Sequence, residues 1–168
     1  PFPPLRVRFE RLEEAIQVCQ QMWSADEGPY EGRYYQLAET ICSPMPIQQP
    51  RPPILIGGSG ERKTLRLVAK YGDACNLFAV SPEVVKHKVE VLERHCEAEG
   101  RDPAAIERTI VTRFDPGANG ERASQEVDRL AKFASIGVQA ALGSVINVHD
   151  PHVMEAMATK VIPALSAL

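Results

Sequence analysis

A short glycine-rich turn contains the residues of this sequence best suited to chemistry. Gly57, Gly58, Ser59 and Gly60 directly follow the apolar run 54–56 and precede an amphipathic segment. Glycine tolerates positive φ and lets the backbone come close to a ligand. A helix that starts there adds unpaired N–H groups and the positive end of its dipole. This glycine turn (residues 57–60) therefore predicts an anion site, usually one for a phosphate group.

The sequence of this segment does not match two better-known phosphate-binding motifs. A P-loop needs glycine directly before its Lys-Thr pair, whereas Arg62 precedes Lys63 and Thr64 here. A dinucleotide fingerprint counted from Gly58 and Gly60 needs a small third residue, and Lys63 occupies that place. The glycine turn is therefore predicted to be a phosphate-binding turn of another kind.

Two basic residues follow the glycine turn, Arg62 and Lys63. The sequence places them in the first turn of a helix over residues 61–71, where positive charge opposes the helix dipole. A bound anion would offset that cost, so one of them is a candidate ligand contact. A solvated basic face shared with Arg66 and Lys70 explains the same pattern equally well.

The other polar candidates are more isolated. Asn76 falls near the C-terminal end of the predicted strand 74–78, where functional groups of barrel proteins cluster. A site role and a structural hydrogen bond are both open for it. His87 and His95 are predicted to be surface residues of a charged helix. His149 and His152 flank a predicted helix start, but the sequence offers no convincing third metal ligand beside them and no paired carboxylates. We therefore assign no metal site and no catalytic residue.

Composition sets the class of protein. The 168 residues are 44% apolar with a net charge of −3, which fits one domain over residues 1–168 with its own core. No dense basic run suggests nucleic-acid binding, and no apolar stretch is long enough for a membrane span. The four cysteines are widely spaced, so reduced thiols and a cytoplasmic location are expected.

The elements that must position the glycine turn follow a regular order. A leading amphipathic helix is predicted over 8–24, and a proline-rich connection over 43–53. Four βα units then fill 54–168, with predicted strands at 54–56, 74–78, 109–114 and 138–142. Strands alternating with helices of this length predict right-handed βαβ units and a parallel sheet.

Three blocks of residues occur in a fixed order with these elements. The first block is residues 8–16, with Met-Trp at 22–23 and Gly-Arg-Tyr-Tyr at 32–35. The second is residues 52–62, which read PPILIGGSGER and continue through TLRL to YGDACN at 71–76. The third is His-Cys-Glu at 95–97 with Gly-Arg-Asp-Pro at 100–103. In this order the three blocks resemble the luciferase-like oxidoreductases, most closely the branch that uses coenzyme F-420. The second block is the most specific of the three.

The resemblance implies the fold and the reaction class. It implies an α/β chain that forms the C-terminal half of a (β/α)₈ TIM barrel, which needs about 250 residues when complete. Gly57, Gly58, Ser59 and Gly60 would then hold the phosphate of coenzyme F-420, or alternatively of FMN. The whole enzyme would transfer a hydride to or from a small organic substrate, or activate oxygen for monooxygenation. This chain alone is expected to be inactive, because the absent half carries the acid/base residues.

Two alternatives stay open. The first is an FMN-dependent monooxygenase, because both coenzymes present a phosphate at the end of a ribityl chain and the glycine turn alone cannot separate them. A catalytically incomplete half-barrel that acts as a binding or assembly module is the other. Its motivation is physical, because an open four-stranded parallel sheet leaves two edges and one apolar face uncovered. We therefore expect a homo-oligomer or association with the missing N-terminal half.

Overall fold

The structure, a computed structural model, describes residues 2–168 and divides into two compact units. The first unit is Pro1–Ile54 and the second is Leu55–Leu168. No helix within residues 2–168 combines the length and apolar character that crossing a membrane requires. The two units are built differently and contain different elements.

The first unit consists of one long helix and a small hairpin. Helix α1 spans Leu5–Met22, so it begins earlier than residue 8 and ends before residue 24. Pro4 precedes its first residue, which suits proline because a helix leaves its first N–H groups unpaired. Strands β1 (Tyr30–Glu31) and β2 (Gln36–Leu37) pair antiparallel.

The second unit is a parallel sheet that alternates with helices, which confirms the predicted architecture. Its four strands lie in the order β3-β4-β5-β6. They are β3 (Leu55–Gly57), β4 (Ala74–Phe78), β5 (Glu107–Phe114) and β6 (Ala140–Val145). The helices are α2 (Thr64–Tyr71), α3 (Pro82–Ala98), α4 (Ala123–Ala134), α5 (Pro151–Ala156) and α6 (Ile162–Leu165). A 3-10 turn at Pro103–Ala105 precedes β5, and a π-helical turn at Met157–Val161 joins α5 to α6.

The strand register separates the two faces of the sheet. One face is buried and carries Ile56, Cys75, Leu77 and Ile110, which form the core with apolar residues of the helices such as Leu92. The opposite face holds the row in which Gly57 pairs with Asn76 and Asn76 pairs with Thr109. Exposed apolar side chains share this second face, namely Leu55, Phe78 and Leu142.

Helix α2 starts later than its sequence pattern predicts. Residues 61–63 form a turn and the helix begins at Thr64, so the placement of Arg62 and Lys63 in its first turn was wrong. The reason is a hydrogen bond from the Leu65 N–H to the Gly60 carbonyl oxygen at 3.0 Å. This bond spans one residue more than an α-helical bond and keeps the intervening residues outside the helix.

Candidate functional site

The glycine turn is fixed to the carboxyl end of the neighbouring strand. The Gly58 N–H donates to the Asn76 carbonyl oxygen at 2.9 Å, which extends the pairing of β3 with β4. The Ser59 hydroxyl oxygen accepts a hydrogen bond from the Phe78 N–H at 3.2 Å. The turn therefore lies at the carboxyl edge of the parallel sheet, where ligands of α/β proteins bind.

Two of the glycines are required by the geometry of the turn. Gly58 has φ +121°, a conformation that residues with a side chain rarely adopt. A Cβ atom at Gly60 would lie 2.9 Å from the Thr64 Oγ1 atom. A Cβ atom at Gly57 would meet no atom within 4 Å, so open space lies beside this residue on the face it shares with Asn76.

The backbone after Gly58 presents a run of unused donors. Within residues 2–168, the N–H groups of Ser59, Gly60, Glu61 and Arg62 donate no hydrogen bond to protein atoms. Consecutive N–H groups in a turn form a concave surface that attracts anions. We call these four donors the open N–H run.

The start of α2 adds to the open N–H run. Helix α2 has no side-chain cap and no acidic residue in its first turn. Helix α3 differs, because the Ser81 hydroxyl accepts from the Val84 N–H at 3.3 Å and Glu83 lies in the first turn. The Asp150 carboxylate caps α5 in the same way, by accepting from the His152 N–H at 3.0 Å. Of these three helix starts, α2 is the one that a bound anion could cap.

Charged groups surround Glu61, which directly follows the glycine turn. Its Oε1 atom contacts the Lys88 Nζ atom closely and lies 3.2 Å from the His87 Nε2 atom. The hydrogen bond from Lys88 is the main cause that lowers the pKa of the Glu61 carboxyl group. The His95 Nε2 atom donates to the Glu61 carbonyl oxygen at 2.8 Å. We call these four residues the Glu61 cluster.

Arg62 and Lys63 are both exposed in the turn before α2. Within residues 2–168, the Arg62 guanidinium makes no ion pair with a protein carboxylate. A solvated or ligand-bound guanidinium at this place adds positive potential near the open N–H run, because Arg is charged at all physiological pH values.

Asn76 makes the structural hydrogen bond that its sequence position allowed. The Thr109 hydroxyl lies 3.1 Å from the Asn76 Oδ1 atom and 2.8 Å from the Cys75 carbonyl oxygen. Thr109 is buried, so it holds the Asn76 side chain in place on the face that Gly57 also occupies. Asn76 is half-buried and keeps part of its amide accessible on that face.

The structure thus brings most of the predicted site residues together. Gly57, Gly58, Ser59, Gly60 and Asn76 meet at the carboxyl ends of β3 and β4, while Arg62 lies further along the turn.

Sequence reasoning missed two contributors, Thr109 and His95. His95 was placed on the surface, yet it is half-buried and contacts the backbone of Glu61. His95 lies about two helical turns after His87 and Lys88, so the three side chains share one face of α3. This spacing is the feature of the sequence that could have indicated a shared contact. Within residues 2–168, no group of three or more His, Cys, Asp or Glu could hold a metal ion.

Comparison with known proteins gives a family match over most of the chain. Residues 4–161 match the family described as luciferase-like monooxygenase. An F420-dependent glucose-6-phosphate dehydrogenase from Kineococcus radiotolerans is 30% identical over 161 residues, which cover 94% of this chain and 45% of that protein. The chain therefore spans less than half the length of this curated relative.

Two solved structures share the fold of this chain. An F420-dependent secondary alcohol dehydrogenase in complex with an F420-acetone adduct aligns with a TM-score of 0.84 at 17% identity, over 98% of this chain and 64% of that one. A riboflavin lyase with modified FMN and riboflavin aligns with a TM-score of 0.78 at 11% identity, over 99% of this chain and 59% of that one. At these identities the likeness shows the fold alone, which is that of part of a TIM-barrel enzyme.

Proposed function

Because the chain belongs to the luciferase-like monooxygenase family, we propose that its glycine turn binds the phosphate group of coenzyme F-420. The open N–H run is the observation that carries this proposal. Four consecutive backbone donors without a protein acceptor lie beside a helix start that has neither a cap nor an acidic residue. An anion is the partner that such a surface attracts.

The residues of the turn would have different roles in binding the phosphate. Ser59, Gly60, Glu61 and Arg62 would donate their N–H groups to the phosphate oxygens. Gly58 allows the turn, and Gly57 leaves space beside Asn76 for the chain that leads from the phosphate to the ring. The Arg62 guanidinium is the candidate side-chain contact, because it is exposed and makes no ion pair among the described residues.

The coenzyme F-420 ring supplies hydride exchange when it is bound, and a flavin ring supplies oxygen activation as well. The share of this chain is to bind and orient the ring through its phosphate end. We propose that the remaining part of the full-length protein supplies the acid/base residues and the pocket for a small organic substrate. The curated relative, an F420-dependent dehydrogenase, supports the choice of coenzyme F-420.

FMN is the second candidate for the same turn. Its support is the riboflavin lyase that shares the fold and contains modified FMN. Both coenzymes carry a phosphate group, so the open N–H run does not distinguish them.

Equilibrium binding of matched ligands tests the proposal. The full-length protein is titrated with coenzyme F-420 and FMN, and in parallel with riboflavin and the deazaflavin precursor that lacks the phosphate. We expect one phosphorylated ligand to bind at least about tenfold more tightly than its counterpart, because charge-assisted hydrogen bonds are strong. Binding of neither coenzyme would sink the proposed function. Equal affinity for each pair would remove the phosphate role from the glycine turn.

A binding or assembly module remains a second function with its own support. Leu55, Phe78 and Leu142 are exposed on one face of the sheet, and β3 and β6 form its edges. Native mass with an absorbance spectrum of the same sample distinguishes the two. A coloured, coenzyme-bearing protein supports the enzyme, whereas a colourless oligomer supports the assembly module.

A further inference from the structure

Helix α3 holds the segment that contains the open N–H run at two separate points. Both points belong to Glu61, the third of the four residues in the run. Its carbonyl oxygen accepts from the His95 Nε2 atom at 2.8 Å, and its carboxylate contacts Lys88 and His87. Arg66 of α2, the helix that follows the turn, also forms an ion pair at 3.7 Å with Glu99, the residue directly after α3.

The contact with His95 fixes the direction of one peptide group. The C=O and N–H bonds of a trans peptide point in opposite directions. Since the Glu61 carbonyl points at His95 on α3, the N–H group of Arg62 points away from α3. A carbonyl can only accept, so the His95 Nε2 atom carries the hydrogen and His95 acts as a donor. His95 thereby orients one of the four donors of the open N–H run.

The contact with Lys88 offsets the negative charge of Glu61. The Glu61 N–H belongs to the open N–H run, yet the Glu61 carboxylate carries the same sign of charge as a phosphate. Lys88, with 19% of its side chain exposed, lies directly against that carboxylate. The pKa of Glu61 is lowered, chiefly by the Lys88 hydrogen bond, so the carboxylate stays ionised and paired. The pair therefore presents little net charge to an anion.

We propose that α3 sets the phosphate affinity of the glycine turn through the Glu61 cluster, with His95 as a positioning residue and Lys88 as the charge partner of Glu61. This inference rests on the proposed phosphate-binding function. It adds residues that do not touch the ligand and act through Glu61. It also predicts how substitutions of Glu61, Lys88 and His95 change the phosphate affinity.

Substitutions of His95 test the positioning role. The readout is the ratio of the affinities for FMN and riboflavin, or for coenzyme F-420 and its precursor without phosphate, in the full-length protein. We expect His95→Ala to lower this ratio about threefold to tenfold, with the affinity for the ligand without phosphate unchanged. His95→Gln keeps a donor near the position of Nε2 and should restore most of the ratio. His152→Ala is the control, because His152 is exposed at the start of α5.

A double substitution tests the charge role and separates it from simple structural support. Lys88→Met leaves the Glu61 carboxylate without its main partner and should lower the ratio about threefold. The double variant with Glu61→Gln and Lys88→Met removes both charges and should recover most of the loss. If Lys88 only stabilised the fold, the double variant would bind as weakly as Lys88→Met or more weakly. Urea unfolding of each variant shows whether it is folded.

The outcomes separate this inference from the proposed function. If the unsubstituted protein shows no preference for the phosphorylated ligand, the proposed function fails and the inference fails with it. If that preference exists and survives in both His95→Ala and Lys88→Met, the proposed function stands and the inference is overturned. A lowered preference that Gln restores at 95, together with recovery in the double variant, supports the inference.

Discussion

Two turns of this chain offer consecutive backbone N–H groups, and they differ in what accepts from them. In the first unit, the Glu14 carboxylate of α1 accepts from the N–H groups of Arg33, Tyr34 and Tyr35 at 3.0, 2.8 and 3.0 Å. In the second unit, the open N–H run has no protein acceptor among residues 2–168. The backbone chemistry is the same in both turns, and only the acceptor differs.

This difference is the reason why we propose the second turn, and not the first, as the ligand site. Backbone N–H groups are nearly always paired in folded proteins, because an unpaired donor away from water costs free energy. The first unit meets this requirement with its own carboxylate. In the second unit, Ser81 and Asp150 accept from N–H groups at the starts of α3 and α5. Helix α4 has no side-chain cap but carries Glu126 in its first turn, whereas α2 has neither a cap nor an acidic residue there. The donor set that is left open beside these closed ones is the place that we propose for an external anion.

Distorting the turn that carries the open N–H run should have the largest effect on coenzyme binding. Gly58→Ala forces a side chain into φ +121°, with a Cβ atom 3.4 Å from the Thr64 Cγ2 atom. We expect the preference for the phosphorylated coenzyme to fall on the order of tenfold to a hundredfold, as strain displaces the donors. Competitive titration with the ligand that lacks phosphate measures it.

The control for Gly58 is another glycine with positive φ. Gly100 has φ +64°, follows α3 and would place a Cβ atom in open space. Gly100→Ala should lower stability without changing the preference. An equal loss of preference in both variants would mean that the effect comes from general destabilisation.

Removing the Glu14 acceptor from the turn of the first unit should lower stability and leave coenzyme binding unchanged. Glu14→Ala removes the acceptor of three N–H groups, and we expect a loss of about 1–3 kcal/mol in the free energy of unfolding. Urea denaturation measures this loss. Glu39→Ala is the control, because Glu39 is exposed. A drop in coenzyme affinity for Glu14→Ala would contradict the assignment of separate roles to the two turns.

Removing the Ser81 cap tests the comparison between the capped start of α3 and the uncapped start of α2. Ser81→Ala removes the hydroxyl that accepts from the Val84 N–H and should cost about 1 kcal/mol of stability. Thermal unfolding measures the change. Ser135→Ala near the C-terminal end of α4 is the control, because a hydroxyl there caps no N–H group. A melting temperature that does not move would show that the Ser81 cap is not needed.

The smallest expected effect concerns acid stability at the same helix start. A backbone N–H and the Ser81 hydroxyl lower the pKa of Glu83 below its ordinary value of 4.5. A lowered folded-state pKa stabilises the fold above the ordinary value, and the contribution disappears as pH falls through the folded-state value. Glu83→Gln should therefore flatten the fall of melting temperature between neutral and acid pH. An unchanged pH profile would argue against a paired Glu83.

The sequence is informative where the cause is local. The alternation of strands and helices follows from nearby residues, and strand 74–78 has the predicted bounds. The glycine turn is visible because its residues are adjacent in the chain. The contacts of His95 with Glu61 and of Thr109 with Asn76 join residues 34 and 33 positions apart, so they depend on how elements pack. The late start of α2 depends on one bond between Gly60 and Leu65, which hydrophobic periodicity does not encode.

The strand order of the second unit has a consequence for synthesis of the chain. Each strand pairs with the strand that precedes it in sequence, so contacts join segments only a few tens of residues apart. Chains fold from the N-terminal side as they leave the ribosome, and each strand here emerges after the strand with which it pairs. The glycine turn and the Glu61 cluster use β3, α2, β4 and α3 alone. All residues of the glycine turn and its α3 contacts are therefore synthesised before β5, whereas the Asn76 side chain gains its contact with Thr109 only after β5 has been added.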